Sequence, residues 1–507
     1  MTLDWPSIRE VLFRWLLAMS VITMYFTVAN LTCSGTRCGE SVVGDLNLIG
    51  LVAIVAAGVW AVLNLMRTNT QLLFTPLVAY AMSTALFFGF GPMSTFLADA
   101  ATIRFQADAV YAVTGVEVLR TNLLTSIGIA VSIVAILFVL PRQRVKVLER
   151  RELSIKTVAL TFVISGLVLK HLVIMPSIYG TSDFLVPGIL TNLGYLPDLG
   201  FALMAMIAAS GDRKWQALFW LIWPWHLLLV FPEFSKKSVM LSLLLPALGA
   251  YSGHRSLKKL MTWVVSAMLL FAVLQNANTA GRWAVDTAEQ RNLVLGVRER
   301  LEILSKTIFS DVGSDRYVPA AKADVEIWWL RLNYSGPQSK AMSLYDSGMA
   351  GVFTQNPLIY LVPRFIWPDK PVMASPGQAF HALVTDRPDT NTKVGITVFA
   401  DGYRQMGWFG LAAFSAIMGG IMGMIARITM GQLGRRRYLF LPAAMLGLNM
   451  GATSTTQFFQ NGIIAGLPVY FGYIILVQLL YSLLGNPNGN SKPAGRRRAG
   501  KLRAVRQ

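Results

Sequence analysis

Charge is scarce in this sequence. Asp, Glu, Lys and Arg make up only 14% of its 507 residues, against about 25% in ordinary soluble domains. That shortage excludes a chain of two or three soluble domains, the usual arrangement at this length. Histidine is rarer still. His171, His226, His254 and His381 stand far apart in the chain, and no metal motif joins them. A phosphate loop, His-Glu-x-x-His and Gly-x-Ser-x-Gly are all missing. No metal and no cofactor is therefore expected. Only two cysteines occur, in Cys33-Ser-Gly-Thr-Arg-Cys38. The short loop is expected to close as a disulfide if it faces an oxidising compartment. A metal pair lacks further ligands, and unpaired thiols are the other alternative.

Acid is also short: 26 Asp and Glu stand against 45 Lys and Arg, a formal net charge of +19. Its placement argues against nucleic acid as a partner. The tail after Ser491 holds Lys492, Arg496, Arg497, Arg498, Lys501, Arg503 and Arg506 with no acid, and residues 141–156 hold six basic residues. Both stretches directly follow apolar runs, where cytoplasmic loops collect positive charge and anionic lipid headgroups attract it.

What the sequence does contain is long apolar runs, 54% of residues being hydrophobic. About 20 apolar residues cross the hydrocarbon of a bilayer. Runs of that kind fall at 11–31, 46–66, 72–94, 121–140, 154–176, 191–209, 214–232, 236–252, 258–275, 404–428, 437–454 and 462–485. The fold class predicted is all-α: a polytopic helical membrane protein of about twelve spans. Residues 1–275 carry nine spans, 276–396 a large outer loop domain, 397–485 three spans, and 486–507 a basic tail. The run Val11–Leu31 lacks a small-residue cleavage pattern and is expected to be a retained signal anchor. The spans at 236–252 and 437–454 are short by the measure of about 20 residues.

Alternate connections are basic: Arg67, the Arg142–Lys156 cluster, Arg213 with Lys214, Arg255 with Lys258 and Lys259, and Arg435–Arg437. The positive-inside rule then places both termini in the cytoplasm and residues 276–396 outside. Lys236 and Lys237 run against the pattern. The outer segment is nearly balanced, with thirteen basic and twelve acidic residues. Val294, Val297, Leu301, Leu304 and Ile308 mark one helix face. Residues 320–334 and 338–353 are two more expected helices, separated by the breaker Ser335-Gly336-Pro337. Three prolines in Pro363–Pro371 favour an extended turn.

Arg282, Arg331, Arg364, Lys370 and Arg404 form a set of cations beside the expected membrane surface. Guanidinium forks bind phosphate oxygens at two points; as single residues, Arg and Tyr at span ends often only anchor a helix. His381, Asp369, Asp386, Asp389 and Asp401 are the possible general bases. Within the membrane, Lys170-His171 and Asp198 are costly enough to mark a site. Two readings stand for Lys170 and Asp198: a mutually neutralising pair, or a cation facing a lipid phosphate and held by the acid. His226, among Trp220, Trp223 and Trp225, is expected to be a hydrogen-bonded packing residue.

The stretches Pro363-Arg364-Phe365-Ile366-Trp367-Pro368-Asp369-Lys370-Pro371 and Gly402-Tyr403-Arg404 through Gly407-Trp408-Phe409-Gly410 resemble the O-antigen polymerase, or oligosaccharide repeat unit polymerase, family. Arg331, in Trp328-Trp329-Leu330-Arg331-Leu332, matches an upstream arginine of that family. The resemblance covers about 80 residues; elsewhere it is one of span pattern alone. It implies a helical fold of the GT-C type in a bacterial inner membrane. It also implies an inverting glycosyl transfer on the periplasmic face, without metal, between donor and acceptor glycans carried on undecaprenyl diphosphate. Arg331, Arg364, Lys370 and Arg404 would face the diphosphate, with Arg282 and Lys170 as weaker candidates. His381 or Asp401 would act as base, and Tyr403, Trp367 and Trp408 would flank sugar or lipid. A chain-length regulator and a flippase are the implied partners. A related glycan ligase, or a lipid-linked sugar flippase or transporter, is the alternative.

Overall fold

The computed structural model describes residues 2–33, 38–98, 109–146, 153–179, 182, 186, 188–290, 295–309, 329–351, 359, 362, 367, 369, 371, 375–387 and 393–484. Nine helices among them are long and apolar enough to cross a bilayer. The chain is thus an all-helical, multi-pass membrane protein. The nine are α1 (Trp5–Cys33), α2 (Glu40–Thr68), α3 (Pro76–Leu97), α4 (Gly115–Val139), α5 (Ile155–Ile178), α6 (Leu190–Ala209), α7 (Arg213–Glu233), α13 (Thr397–Gly434) and α15 (Gln460–Ser482). Three further helices stand at the other expected spans: α8 (Lys236–His254), α9 (Leu257–Gln290) and the short apolar α14 (Tyr438–Thr453). The lysines and the histidine at the ends of α8 dilute its apolar stretch, and α14 lacks the length of a full crossing. Both runs are short for a crossing in the sequence as well.

The helices pack as two groups. In the first, α4 lies against α1, α2 and α13, while α3 lies against α2 and α14. In the second, α6 lies against α5, α7 and α8, and α9 against α8. Lipid offers no hydrophobic drive to bring helices together, so close backbone approach at small residues does it instead. A Cβ on Gly419 of α13 would sit 2.2 Å from the Ser132 carbonyl oxygen of α4, and one on Gly249 of α8 would sit 2.0 Å from that of Ala202 in α6. Buried amides reinforce the first group. Asn122 Nδ2 donates to Asn47 Oδ1 at 2.9 Å, and Asn47 Nδ2 donates to the Gly115 carbonyl at 2.9 Å.

Three helical stretches widen into π turns, Ala85–Phe90, Leu169–Ile174 and Gln460–Ile464. Each lies shortly before a proline: Pro92, Pro176 and Pro468. Proline has no N–H to give and its ring crowds the carbonyl one turn back, so a wider turn relieves the clash. The second of these turns carries Lys170 and His171. Cys33 and Cys38 are joined as a disulfide. The only paired strands among the described residues are Thr2–Leu3 and Val145–Lys146, a two-residue antiparallel ribbon.

Between the spans, residues 276–396 hold α10 (Val297–Phe309), α11 (Ser335–Asp346) and α12 (Pro376–Thr385). The expected breaker Ser335-Gly336-Pro337 is instead the first turn of α11. Proline is at home there, because N–H groups of the first turn have no partner inside the helix. That helix also ends at Asp346, earlier than expected. Most of the expected helix 320–334, and most of the Pro363–Pro371 stretch, lie outside the described residues.

Candidate functional site

The span expected to begin at residue 404 starts earlier and is broken. Met406 (φ −145°, ψ 27°) and Gly407 (φ 61°, ψ −145°) leave helical geometry inside α13. Gly402 and Gly410, about 12 Å apart in a straight helix, touch across the break. A Cβ on Gly402 would lie 2.5 Å from the Gly410 carbonyl oxygen. The chain therefore doubles back, with the short limb 397–405 folded against the long limb. Thr397–Tyr403 is entirely buried. Its Phe399 packs on Phe88 in the middle of α3 and against Gly128 in the middle of α4. The limb runs from the middle of the bundle to its end, and the bend stands where the N-terminal part of α4 meets α11 and α12.

A polar cluster surrounds this bend. Arg120 of α4 forms an ion pair with Asp346 at the end of α11, 2.7 Å apart. The Tyr403 hydroxyl joins them, accepting from Arg120 at 3.1 Å and donating to Asp346 at 2.9 Å. Tyr345 and Trp408 pack edge-on against the Tyr403 ring, at 5.3 and 5.1 Å. Arg404 points the other way. Its guanidinium carbon lies 5.2 Å from the centre of the Phe380 ring in α12, a cation–π contact. Its Nε is buried with no hydrogen-bond partner, and no carboxylate among the described residues comes within ion-pair distance of it. Next to Phe380, the buried His381 places Nδ1 2.9 Å from the Tyr111 hydroxyl, the two rings being stacked.

Asp401 is buried in the short limb. Its Oδ2 accepts the Phe459 N–H at 3.0 Å, and its Oδ1 is 3.4 Å from Gln405 Nε2. The bond from Phe459 ties the limb to the segment between α14 and α15. Arg404, His381, Asp401, Tyr403 and Trp408 thus lie around one bend, as a cluster of expected site residues. Arg331 is exposed in the turn before α11, where Trp329 Nε1 donates to the Phe90 carbonyl of α3 at 2.7 Å. Trp367 and Arg282 are exposed, the latter on α9. Arg364 and Lys370 lie outside the described residues.

Lys170 belongs to a second cluster, in α5–α8, and the expected pairing with Asp198 is corrected. Lys170 Nζ lies 2.8 Å from Glu233 Oε1, both side chains being almost wholly buried. Glu233 ends α7, whereas Asp198 sits a level deeper. Asp198 Oδ1 takes His226 Nε2–H at 2.9 Å and the Ser242 hydroxyl at 2.6 Å. Asp198 Oδ2, His226 Nδ1 and His171 Nε2 are buried without hydrogen-bond partners. His226 is hydrogen-bonded in the packed interior, as the sequence leads one to expect.

Sequence reasoning missed Arg120, Asp346, Tyr111 and Glu233. Arg120 and Tyr111 sit in the loop and helix start before α4, Asp346 more than two hundred residues on, and only the fold joins them. One signal was available: Arg120 is an arginine five residues into an apolar helix, which calls for a partner. Among the described residues no group of three or more His, Cys, Asp and Glu side chains gathers around a metal-sized space. No protein-family model matches the chain, and no curated protein or solved structure matches it either.

Proposed function

We propose that the protein is a glycosyltransferase that joins lipid-linked oligosaccharide repeat units on the outer face of a bacterial inner membrane. The observation that carries this reading is Arg404: a partly buried guanidinium with an unpartnered Nε and no acid within ion-pair distance among the described residues, Asp401 acting on it only at longer range, at a bend beside the outer segment. A cation partly withdrawn from water and not directly ion-paired is costly, and a substrate anion would remove the cost. A lipid diphosphate supplies that anion. As the glycosidic bond breaks, the departing diphosphate gains negative charge, so a fixed cation stabilises the transition state more than the ground state. Arg331, Arg364 and Lys370 are assigned to the same anion, on the strength of the sequence resemblance.

In the proposed step, a hydroxyl oxygen of the acceptor repeat unit attacks the anomeric carbon of the donor glycan. The bond from that carbon to the diphosphate oxygen breaks, and undecaprenyl diphosphate leaves with the electron pair. The hydroxyl proton passes to His381. That role requires the tautomer in which Nδ1–H donates to the Tyr111 oxygen, leaving the Nε2 lone pair free. Asp401 is already committed to the Phe459 N–H, which supports a positioning role over that of base. Tyr403 and Trp408 offer ring surface for sugar or lipid, and Arg120 with Asp346 holds Tyr403 in place. The Cys33–Cys38 disulfide and the alternation of basic loops support cytoplasmic termini, a periplasmic outer segment and twelve crossings in all. A chain-length regulator and a flippase are the partners this activity calls for.

A transporter of lipid-linked sugar is the competing reading. The broken α13 and the buried charges of α5–α8 favour it, since broken helices commonly build transport sites. A deletion strain separates the readings. Loss of long chains with single repeats still attached supports the polymerase. Loss of all attached glycan points to a ligase, and accumulation of lipid-linked repeats on the cytoplasmic side points to the transporter.

A further inference from the structure

The helix α9 runs past the ends of its neighbours, and the chain then comes back to them. A Cβ on Gly281 of α9 would sit 2.1 Å from a ring carbon of Phe234, the residue that follows α7. From Gly281 to Gln290 the helix continues for about 13 Å. The return is fixed by Arg300 of α10, which is buried at the same place. Its Nη1 donates to the Pro232 carbonyl at 3.3 Å. Its guanidinium carbon lies 4.8 Å from the centre of the Tyr179 ring and 6.0 Å from that of Phe234. Tyr179 follows directly on α5, so Arg300 holds α10 at the level where α5 and α7 finish. Apolar surface reaches that level on both spans: Ile178 at the end of α5 and Leu229 one turn before the end of α7 are exposed. The helix docks by one side only. Leu301 lies about 100° round the axis from Arg300 and is 47% exposed. Leu304, half-buried, stands one turn on in the same row, and the spacing puts Val297 and Ile308 in that row too. The opposite face carries Arg298, Glu299, Glu302, Ser305 and Lys306, all exposed.

We propose that α10 lies in the membrane surface, with Leu301 and Leu304 in the lipid leaflet at which α5 and α7 end. An apolar row beside a charged one, held level with the ends of membrane spans, is the build of an interfacial helix. The lipid-facing surface that ends at Ile178 and Leu229 continues onto it. Two cations and two carboxylates balance on the charged face, and Lys306 Nζ lies 2.7 Å from Glu302 Oε1. Headgroup charge is therefore not what draws the helix down; the apolar boundary of a neutral bilayer is enough. Arg300 fastens α10 to the α5–α8 group and the two leucines fasten it to lipid. Residues 276–396 are thereby moored to the membrane surface at their N-terminal end. The inference does not depend on the chemistry at Arg404.

The test uses the full-length protein in nanodiscs of phosphatidylcholine. The two native cysteines are joined to each other, so an introduced cysteine is the one thiol open to a label. Leu301→Cys, Leu304→Cys and Glu302→Cys each receive a polarity-sensitive fluorophore. Quenching is read from iodide in the water and from phosphatidylcholine carrying a nitroxide at a shallow or a deep chain position. The labels at 301 and 304 are expected about 5–10 Å into the boundary between headgroups and chains, quenched by the shallow nitroxide and shielded from iodide. The label at 302 is expected to show the reverse. Replacing part of the lipid with phosphatidylglycerol should leave all three unchanged. Far-UV circular dichroism and elution volume verify folding; Leu301 and Glu302 are exposed, so the fold tolerates both changes. Iodide quenching at 301 and 304 equal to that at 302 overturns the proposal, because the face then stands in water. Shielding of 301 and 304 from both quenchers overturns it as well, by making protein the occupant. Lipid contact that appears only with phosphatidylglycerol does so too, by making charge the cause.

Discussion

A guanidinium that is partly withdrawn from water and has no carboxylate within ion-pair distance among the described residues needs an explanation, and Arg404 is such a residue. Its stem is held by the bend of α13, its face by Phe380, and its Nε is left over. Under the proposed function, Arg404→Ala removes a charge-assisted contact to the leaving group. A contact of this kind is worth about 3–4 kcal/mol in a preorganised site, or roughly two to three orders of magnitude in turnover. Arg404→Lys should retain part of the rate if charge is the need, and almost none if the two-pronged fork is. Turnover of a lipid-linked repeat unit by the purified protein measures both. His226 poses the opposite case, a buried residue whose Nε2 is hydrogen-bonded to Asp198. His226→Ala leaves Asp198 in the bundle interior with Ser242 as its one remaining hydrogen-bond partner among the described residues. A cost of about 3–5 kcal/mol follows from breaking a buried pair on one side, read as a lower unfolding midpoint in detergent. Asp198 itself was conspicuous in the sequence as a charge in an apolar run. Its partner was not, because Lys170, Glu233, Ser242 and His226 were all within one helix of it and only side-chain depth selects among them.

Helices were the most legible elements, because a bilayer demands long apolar runs whatever their order. Their interruptions were less so. The bend of α13 was hidden in Gln405-Met406-Gly407-Trp408, where a single glycine gives no warning of a reversal. The backbone of Gly407 lies in a region that only glycine enters freely. A Cβ there would also approach the Tyr345 ring and hydroxyl to 2.8–3.0 Å. Gly407→Ala is therefore expected to cost about 1–3 kcal/mol and to displace Tyr403 and Arg404 together. A fall in activity larger than that of an exposed-surface control, at normal accumulation, checks it. At the contact of α4 with α13, Gly419→Leu meets the Ser132 carbonyl and should destabilise by about 1–3 kcal/mol through overpacking. The Pro337 misreading has the same origin as the missed bend. Proline and glycine punctuate a chain, but whether they open a helix or break one depends on a turn or two of context.

At the scale of the whole molecule, the sequence carries the span pattern and the residues of the bend, while the fold supplies their convergence. Asp401, Tyr403, Arg404 and Trp408 share one stretch of eight residues, and the fold brings His381 to the same bend through the contact of Arg404 with Phe380. Arg120, Asp346 and Tyr111 join them only because α4, α11 and α12 end at the same place. Two clusters result, one at the bend of α13 and one inside α5–α8, in separate helix groups. Chain growth is assigned to the first. The most direct measurement is turnover by purified protein in nanodiscs, supplied only with a lipid-linked repeat unit and resolved by polymer length. The account predicts a ladder of longer lipid-linked chains with release of undecaprenyl diphosphate, reduced to single repeats by Arg404→Ala at unchanged folding. A ladder of normal length from the Arg404→Ala protein would contradict it.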